Sequence, residues 1–159
     1  VRLVQTLRGG DVPYGAAVLL HHFTDAEHWP EILAAGAIRA SWQRGASPLT
    51  VHLSRDGDPE SLPWALRGRR IRILVRVPDA EAHPWQEWAQ HHLEPEELWS
   101  LAESSSAAAG GLPNQWNGKP EEWFVLERPV PMAEWEKAID LDTRSSLWVA
   151  GRDKGGVER

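Results

Sequence analysis

The stretch 16–38, AAVLLHHFTDAEHWPEILAAGAI, decides the fold. Its first eight residues, AAVLLHHF, form an apolar run bounded by a turn and predict a buried strand. DAEHWPEILAAG then predicts a helix. Thr24 or Asp25 can cap its N-terminus, acidic residues fill the first turn, and Gly36 ends it. Pro30 lies within the first two turns and either kinks the helix or marks its true first position. Ile32 and Leu33 face inward, and residues 37–41 predict a short strand.

Working outward, residues 42–48 are polar with Gly and Pro and predict a loop, while LTVHLS (49–54) alternates as a strand does. RDGDPESLP predicts a turn and then a short helix. RIRILVRV (70–77) is the strongest strand signal in the chain. Ile71, Ile73, Val75 and Val77 share one face, and Arg70, Arg72 and Arg76 share the other with Leu74. HPWQEWAQHH (83–92) and EPEELWSLAES (94–104) predict helices with Pro84 and Pro95 near their starts. Residues 104–120 form a long loop, of a length that in compact domains is functional or disordered. EEWFVLERPV (121–130) predicts a strand whose end Pro129 confines to an edge. MAEWEKA predicts a short helix, AIDLD a last strand, and 143–159 a partly ordered tail after a single domain spanning 1–142. Few β-α-β alternations occur, so the class is α+β, with a largely antiparallel sheet and flanking helices.

Composition narrows the chemistry. The 159 residues include no cysteine, which excludes a disulfide scaffold, a thiol nucleophile, Cys-ligated zinc and an Fe–S cluster. A net charge of −6 argues against a uniformly basic nucleic-acid binder. The distribution is uneven, however: Arg67, Arg69, Arg70, Arg72 and Arg76 fall close together, and residues 79–103 are acidic. Arginine offers planar, bidentate recognition of phosphate or carboxylate. No apolar run approaches the ~20 residues of a membrane span, and VRLVQTLRGG lacks the apolar core of a signal peptide. The expectation is a cytoplasmic monomer. There is no P-loop, no G-x-G-x-x-G, no G-x-S-x-G and no H-E-x-x-H, and no metal is assigned. Of the aromatic residues, ten are Trp, two Phe and one Tyr.

Three constellations could carry chemistry. His21 and His22 close the first strand, where an imidazole can meet a ligand while its other nitrogen is fixed by backbone. The plainer alternative is one ring in the core and one in solvent, without function. Glu122 opens a strand directly after the long loop, in competition with Glu121 and Glu127. Strand parity puts Glu122 and Glu127 on opposite faces, and all three could equally be solvated edge charges. Asn114, Gln115, Trp116 and Asn117 set amide hydrogen bonding beside an aromatic plate, which suits a nucleobase or a sugar. Asn117-Gly118 is equally a turn signal.

LHHFTDAEHWPEILAAGAI, with His22, Thr24, Ile32, Leu33 and Gly36, resembles the opening of the ADP-ribosyltransferase superfamily, especially its DarT-like branch: a hydrophobic strand, H-x-T, an I-L pair and a Gly. EEWFVLERPVPMAEWEKAI is similar to that branch's closing motif, through Glu122, Trp123, Phe124, Val125, Val130, Pro131 and Trp135. The layout also resembles small Trp-rich phage and actinobacterial proteins of this kind. The resemblance implies a split antiparallel sheet that clamps NAD and transfers ADP-ribose to a macromolecular acceptor, with DNA or RNA bases favoured. In that frame Glu122 is catalytic and His22 binds the nicotinamide-side ribose. Thr24 sits near the nicotinamide, and Ser54 or His52 faces its ring. Arg39 or Arg44 contacts pyrophosphate or orients the acceptor, with Arg44 preferred and counted with Glu122. Residues 114–117 recognise the acceptor, and Trp29, Trp42 and Trp116 rim the cleft. The alternatives are an NAD-cleaving or phosphate-transferring enzyme on the same fold, or an inactive nucleotide- or protein-binding module.

Overall fold

The alternation read in residues 70–77 organises the whole sheet. A computed structural model describes residues 16–43, 46–63, 66–99 and 118–151. Its elements are β1 (Ala17–Thr24), α1 (Trp29–Ala35), β2 (Ala37–Ile38), β3 (Ser41–Gln43), β4 (Ala46–Ser54), β5 (Ile71–Pro78), β6 (His83–Pro84), α2 (Trp85–His92), β7 (Trp123–Leu126), β8 (Val130–Pro131), β9 (Trp135–Asp140) and β10 (Ser146–Val149). The strands form one sheet in the order β10-β9-β5-β1-β4-β7-β6, with β3 on β4, and a separate β2-β8 pair. Every pairing is antiparallel. The protein is therefore α+β, mostly sheet with few helices.

Each face of the sheet has its own core. On one, Leu20 of β1, Val51 and Leu53 of β4, the four apolar residues of β5, and Trp135 and Ala138 of β9 are buried together, with Trp29 and Ile32 of α1 packed against them. On the other, Trp85, Trp88 and Ala89 of α2 and the following Leu93 cover Trp123 and Val125 of β7. Each fully buried aliphatic side chain contributes roughly 1.5–3 kcal/mol from removed apolar surface. Each core holds one edge-to-face tryptophan pair. Trp85 meets Trp123 at 5.3 Å between ring centroids, and Trp135 meets Trp148 at 5.5 Å. Such contacts add to simple burial because ring edges and faces carry opposite partial charge.

Several expectations need correction. α1 starts at Trp29, with Pro30 in its first turn, so Pro30 marks the helix start instead of kinking it. Thr24 belongs to β1, and neither it nor Asp25 caps the helix; the capping position is His28, which makes no side-chain cap bond. Of the segment 42–48 expected as a loop, residues 42–43 belong to β3 and 46–48 to β4, and the two strands pair antiparallel. The 132–138 segment is a single 3₁₀ turn, Met132–Glu134, followed by β9. The apolar spacing that imitated a helix comes from a bulge. Val75 pairs with Trp135 but Leu74 with Lys137, so one extra residue puts Trp135 and Ala138, three apart, on one face. Residues 143–159, expected as a tail, contribute β10, which pairs with β9. Among the described residues, no helix is long and apolar enough to cross a membrane.

Candidate functional site

The site is built around β1, whose two edges differ. Toward β5, every residue from Ala17 to Thr24 has a partner. Toward β4, a single pair joins the strands, His21 with Ser54. Alternation puts Val18, Leu20, His22 and Thr24 on the main core face, opposite Val77, Val75, Ile73 and Ile71. Where the β1–β4 ladder stops, a side chain bridges the strands: His22 Nδ1–H donates to the His52 carbonyl at 2.9 Å.

That bond fixes the chemistry of the ring. Burial lowers the His22 pKa to about 4; the Arg69 charge pushes the same way, and the His52 carbonyl bond opposes both. At neutral pH the imidazole is uncharged. With its proton on Nδ1, Nε2 is a hydrogen-bond acceptor. His52 is also lowered to about 4, first by burial and then by the charges of His22 and Arg69. Arg69 donates toward the Phe23 carbonyl at 3.5 Å, and its charge adds a smaller push in the same direction as burial at both imidazoles.

Glu122 ends a 3₁₀ turn, Pro120–Glu122, immediately before β7. Arg55, which follows β4, grips it at two points: Nε donates to Oε2 at 2.8 Å and Nη2 to Oε1 at 3.3 Å. The Arg55 amide also donates to the Glu122 carbonyl at 2.8 Å. The guanidinium lies 5.5 Å from the centre of the Phe124 ring, so its plane and charge are held on two sides. The approach to Glu122 is sewn down at Ser61, whose carbonyl accepts from the Lys119 amide at 2.9 Å and from Trp123 Nε1 at 2.7 Å. Gly118 is in the left-handed region at φ +86°, and a Cβ there would sit 2.5 Å from the Ser61 carbonyl oxygen. Only glycine fits this crossing.

His21, Ser54 and Trp123 form one cross-strand row over β1, β4 and β7. His22 follows His21 and Glu122 precedes Trp123, so the two adjoin the opposite ends of that row. No protein-family model, curated protein or solved structure matches the chain. The site is read from its own chemistry.

The other expected residues take varied places. Thr24 shares the His22 face and is buried. Ser54 is fully buried, with its hydroxyl 3.5 Å from that of Ser61, and presents no surface to a ligand in this arrangement. Arg39 is exposed in the short link between β2 and β3. Arg44, Asn114, Gln115, Trp116 and Asn117 lie outside the described residues, as does the side chain of Trp42. Trp29 leans on Trp135 at 6.1 Å between ring centroids and is partly buried in the core. Of the competing carboxylates, Glu127 accepts from Trp88 Nε1 at 2.9 Å and so belongs to α2, while Glu121 is exposed. Sequence reasoning missed Arg55, and it named Arg69 only as one of the clustered arginines, not as a neighbour of the two histidines. The Arg55–Glu122 pair is separated by 67 residues in the chain, and no local pattern announces it.

Proposed function

We propose that the protein is an NAD-dependent mono-ADP-ribosyltransferase with a split ADP-ribosyltransferase-like sheet, acting on a macromolecular acceptor and preferring a nucleic-acid base. The observation that carries this reading is the break in the β1–β4 ladder. A neutral imidazole, His22, lies at that break, and a carboxylate gripped by arginine, Glu122, adjoins the far end of the same row. It rests also on the resemblance of the H-x-T and Glu-led segments that contain these two residues.

In the reaction, the bond between nicotinamide nitrogen and ribose C1′ breaks, and its electron pair leaves with nicotinamide. Positive charge develops on the ribose. A carboxylate beside the ribose stabilises that charge and takes the proton that the acceptor loses as it bonds to C1′. Glu122 is assigned this role, and Arg55 positions it. His22 Nε2 accepts a hydrogen bond from a ribose hydroxyl, and Thr24 lies beside it on the same strand face. Arg69 supplies positive charge near both imidazoles and joins Arg39 and Arg44 as a candidate for the pyrophosphate. Residues 114–117 are assigned to the acceptor.

One observation favours a second reading, a nucleotide-binding module without turnover: the Arg55 fork engages both oxygens of Glu122. Nicotinamide release separates the two. The protein is incubated with labelled NAD and, in turn, DNA, RNA and cell lysate, and released nicotinamide and labelled acceptor are measured. Release with transfer of label is expected. Glu122→Ala and Glu122→Gln should lower turnover by roughly 10²-fold or more, and His22→Ala should abolish it while the fold survives. Full activity in Glu122→Gln would overturn the mechanism, and absence of nicotinamide release would favour the module.

A further inference from the structure

The face of β5 turned away from the main core leads to a second polar feature. Arg70 and Arg72, with Arg144 from the β9–β10 turn, line a cleft of about 440 Å³ whose opposite wall is Gly57, Asp58 and Glu60. The volume lies in the range of small-molecule sites. The three guanidiniums are unequally satisfied. Arg70 has Asp142 at 3.5 Å. Arg72 donates from Nη1 to the Gly57 carbonyl at 2.6 Å, and among the described residues no carboxylate pairs with it or with Arg144. The acids of the far wall are engaged elsewhere: Asp58 Oδ1 accepts from the Glu60 amide at 3.0 Å, and Glu60 reaches Arg67 at 3.4 Å.

Two features show the cost of this arrangement. Arg144 has φ +60° and is the only non-glycine residue with positive φ among those described. A turn at that position is ordinarily served by glycine or asparagine, so the side chain is kept there against backbone preference. Arg72 is partly buried next to Arg144, and its pKa is lowered, first by burial and then by the Arg144 charge. Two cations are thus held together with no carboxylate paired to either among the described residues. Gly57 completes the wall: a Cβ there would lie 3.0 Å from both Arg72 Nη1 and His21 Nε2, so a side chain at this position would press on the Arg72 guanidinium.

We infer that the cleft formed by Arg70, Arg72 and Arg144 is a binding site for a phosphate group, the anion whose oxygens match several guanidinium forks at once. The group belongs either to a free nucleotide or to a nucleic-acid backbone. The site lies on the sheet face opposite His22 and does not depend on the transferase reading.

The test is calorimetric titration of the full chain with inorganic pyrophosphate. Saturable binding that weakens with added salt is expected. Arg144→Gly should weaken it at least tenfold while the melting temperature holds or rises, because glycine relieves the positive φ. Gly57→Ala should weaken it as well. Arg76→Ala, which removes a guanidinium paired with Glu136 elsewhere on the sheet, should leave it unchanged. Nicotinamide release is measured on the same preparation: pyrophosphate binding without release overturns only the transferase reading, and release without pyrophosphate binding overturns only this site. Tighter binding of ADP than of a ten-residue deoxythymidine oligonucleotide supports a nucleotide site, and the reverse order supports a backbone site. Pyrophosphate binding no stronger than that of chloride, or equal losses in Arg144→Gly and Arg76→Ala, would overturn the proposal.

Discussion

The two edges of β1 carry the same residues and do different jobs. Against β5 the strand is zipped from Ala17 to Thr24; against β4 it is pinned once, at His21–Ser54, with the His22 imidazole reaching across to the His52 carbonyl. The zipped edge is backed by the large apolar core, and its stability comes from many small burial terms. The open edge relies on a few polar contacts, each of which matters alone. A sheet can therefore be stiff along one side of a strand and be held by a few polar contacts along the other.

The largest test of this contrast is Ile73→Ala. Ile73 is fully buried between β1 and β9, and its truncation should cost about 2–5 kcal/mol in urea unfolding. A loss smaller than that of His22→Ala would break the comparison. Gly118→Ala comes next, because its Cβ meets the Ser61 and Leu62 carbonyls. A destabilisation of about 1–3 kcal/mol is expected, together with reduced turnover, since the same segment leads to Glu122. His22→Ala should cost about 1–3 kcal/mol by leaving the His52 carbonyl without its partner, and amide exchange should quicken in β4 before it quickens in β5.

Acid sharpens the contrast further. His21, His22 and His52 all have pKa values lowered to about 4 from 6.5, with burial as the first cause. Between those values the unfolded chain binds more protons than the folded one, so stability falls as pH drops from 6.5 toward 4. Each imidazole adds on the order of 1 kcal/mol per pH unit at most. Urea midpoints at pH 7.5 and 5 should differ clearly, and His22→Asn should reduce that difference. The smallest stability effect belongs to Arg55→Ala. The Arg55–Glu122 pair is substantially exposed, so the melting temperature should barely move. Turnover should fall, though less than in Glu122→Ala, and in kcat more than in KM.

Legibility followed period and proximity. β5 was readable because its buried residues fall at every second position, and α1 because Pro30 and Gly36 mark its ends. β9 was misread because its bulge turned a two-residue period into three. β10 was missed because Ser146–Val149 is only four residues long, and its run Leu147-Trp148-Val149 shows no alternation of apolar and polar residues. At the site, His22 and Glu122 were visible as polar residues beside strands. Their partners were not: the His52 carbonyl is backbone, and Arg55 and Arg144 acquire their roles only from folding. Arg70 and Arg72 were visible as the outward face of β5, but nothing local predicted that Arg144 would join them.

The ends of the sheet carry a consequence for the protein at high concentration. Among the described residues, one border is β6, two residues long and ending in Pro84, which has no amide hydrogen to offer. The other is β10, four residues long and out of register between Ser146 and Trp148. A neighbouring molecule seeking to extend the sheet finds a short, proline-blocked border on one side and a twisted one on the other. Such borders resist strand-by-strand growth between molecules, even though the interior of the sheet is rich in Val, Ile and Trp.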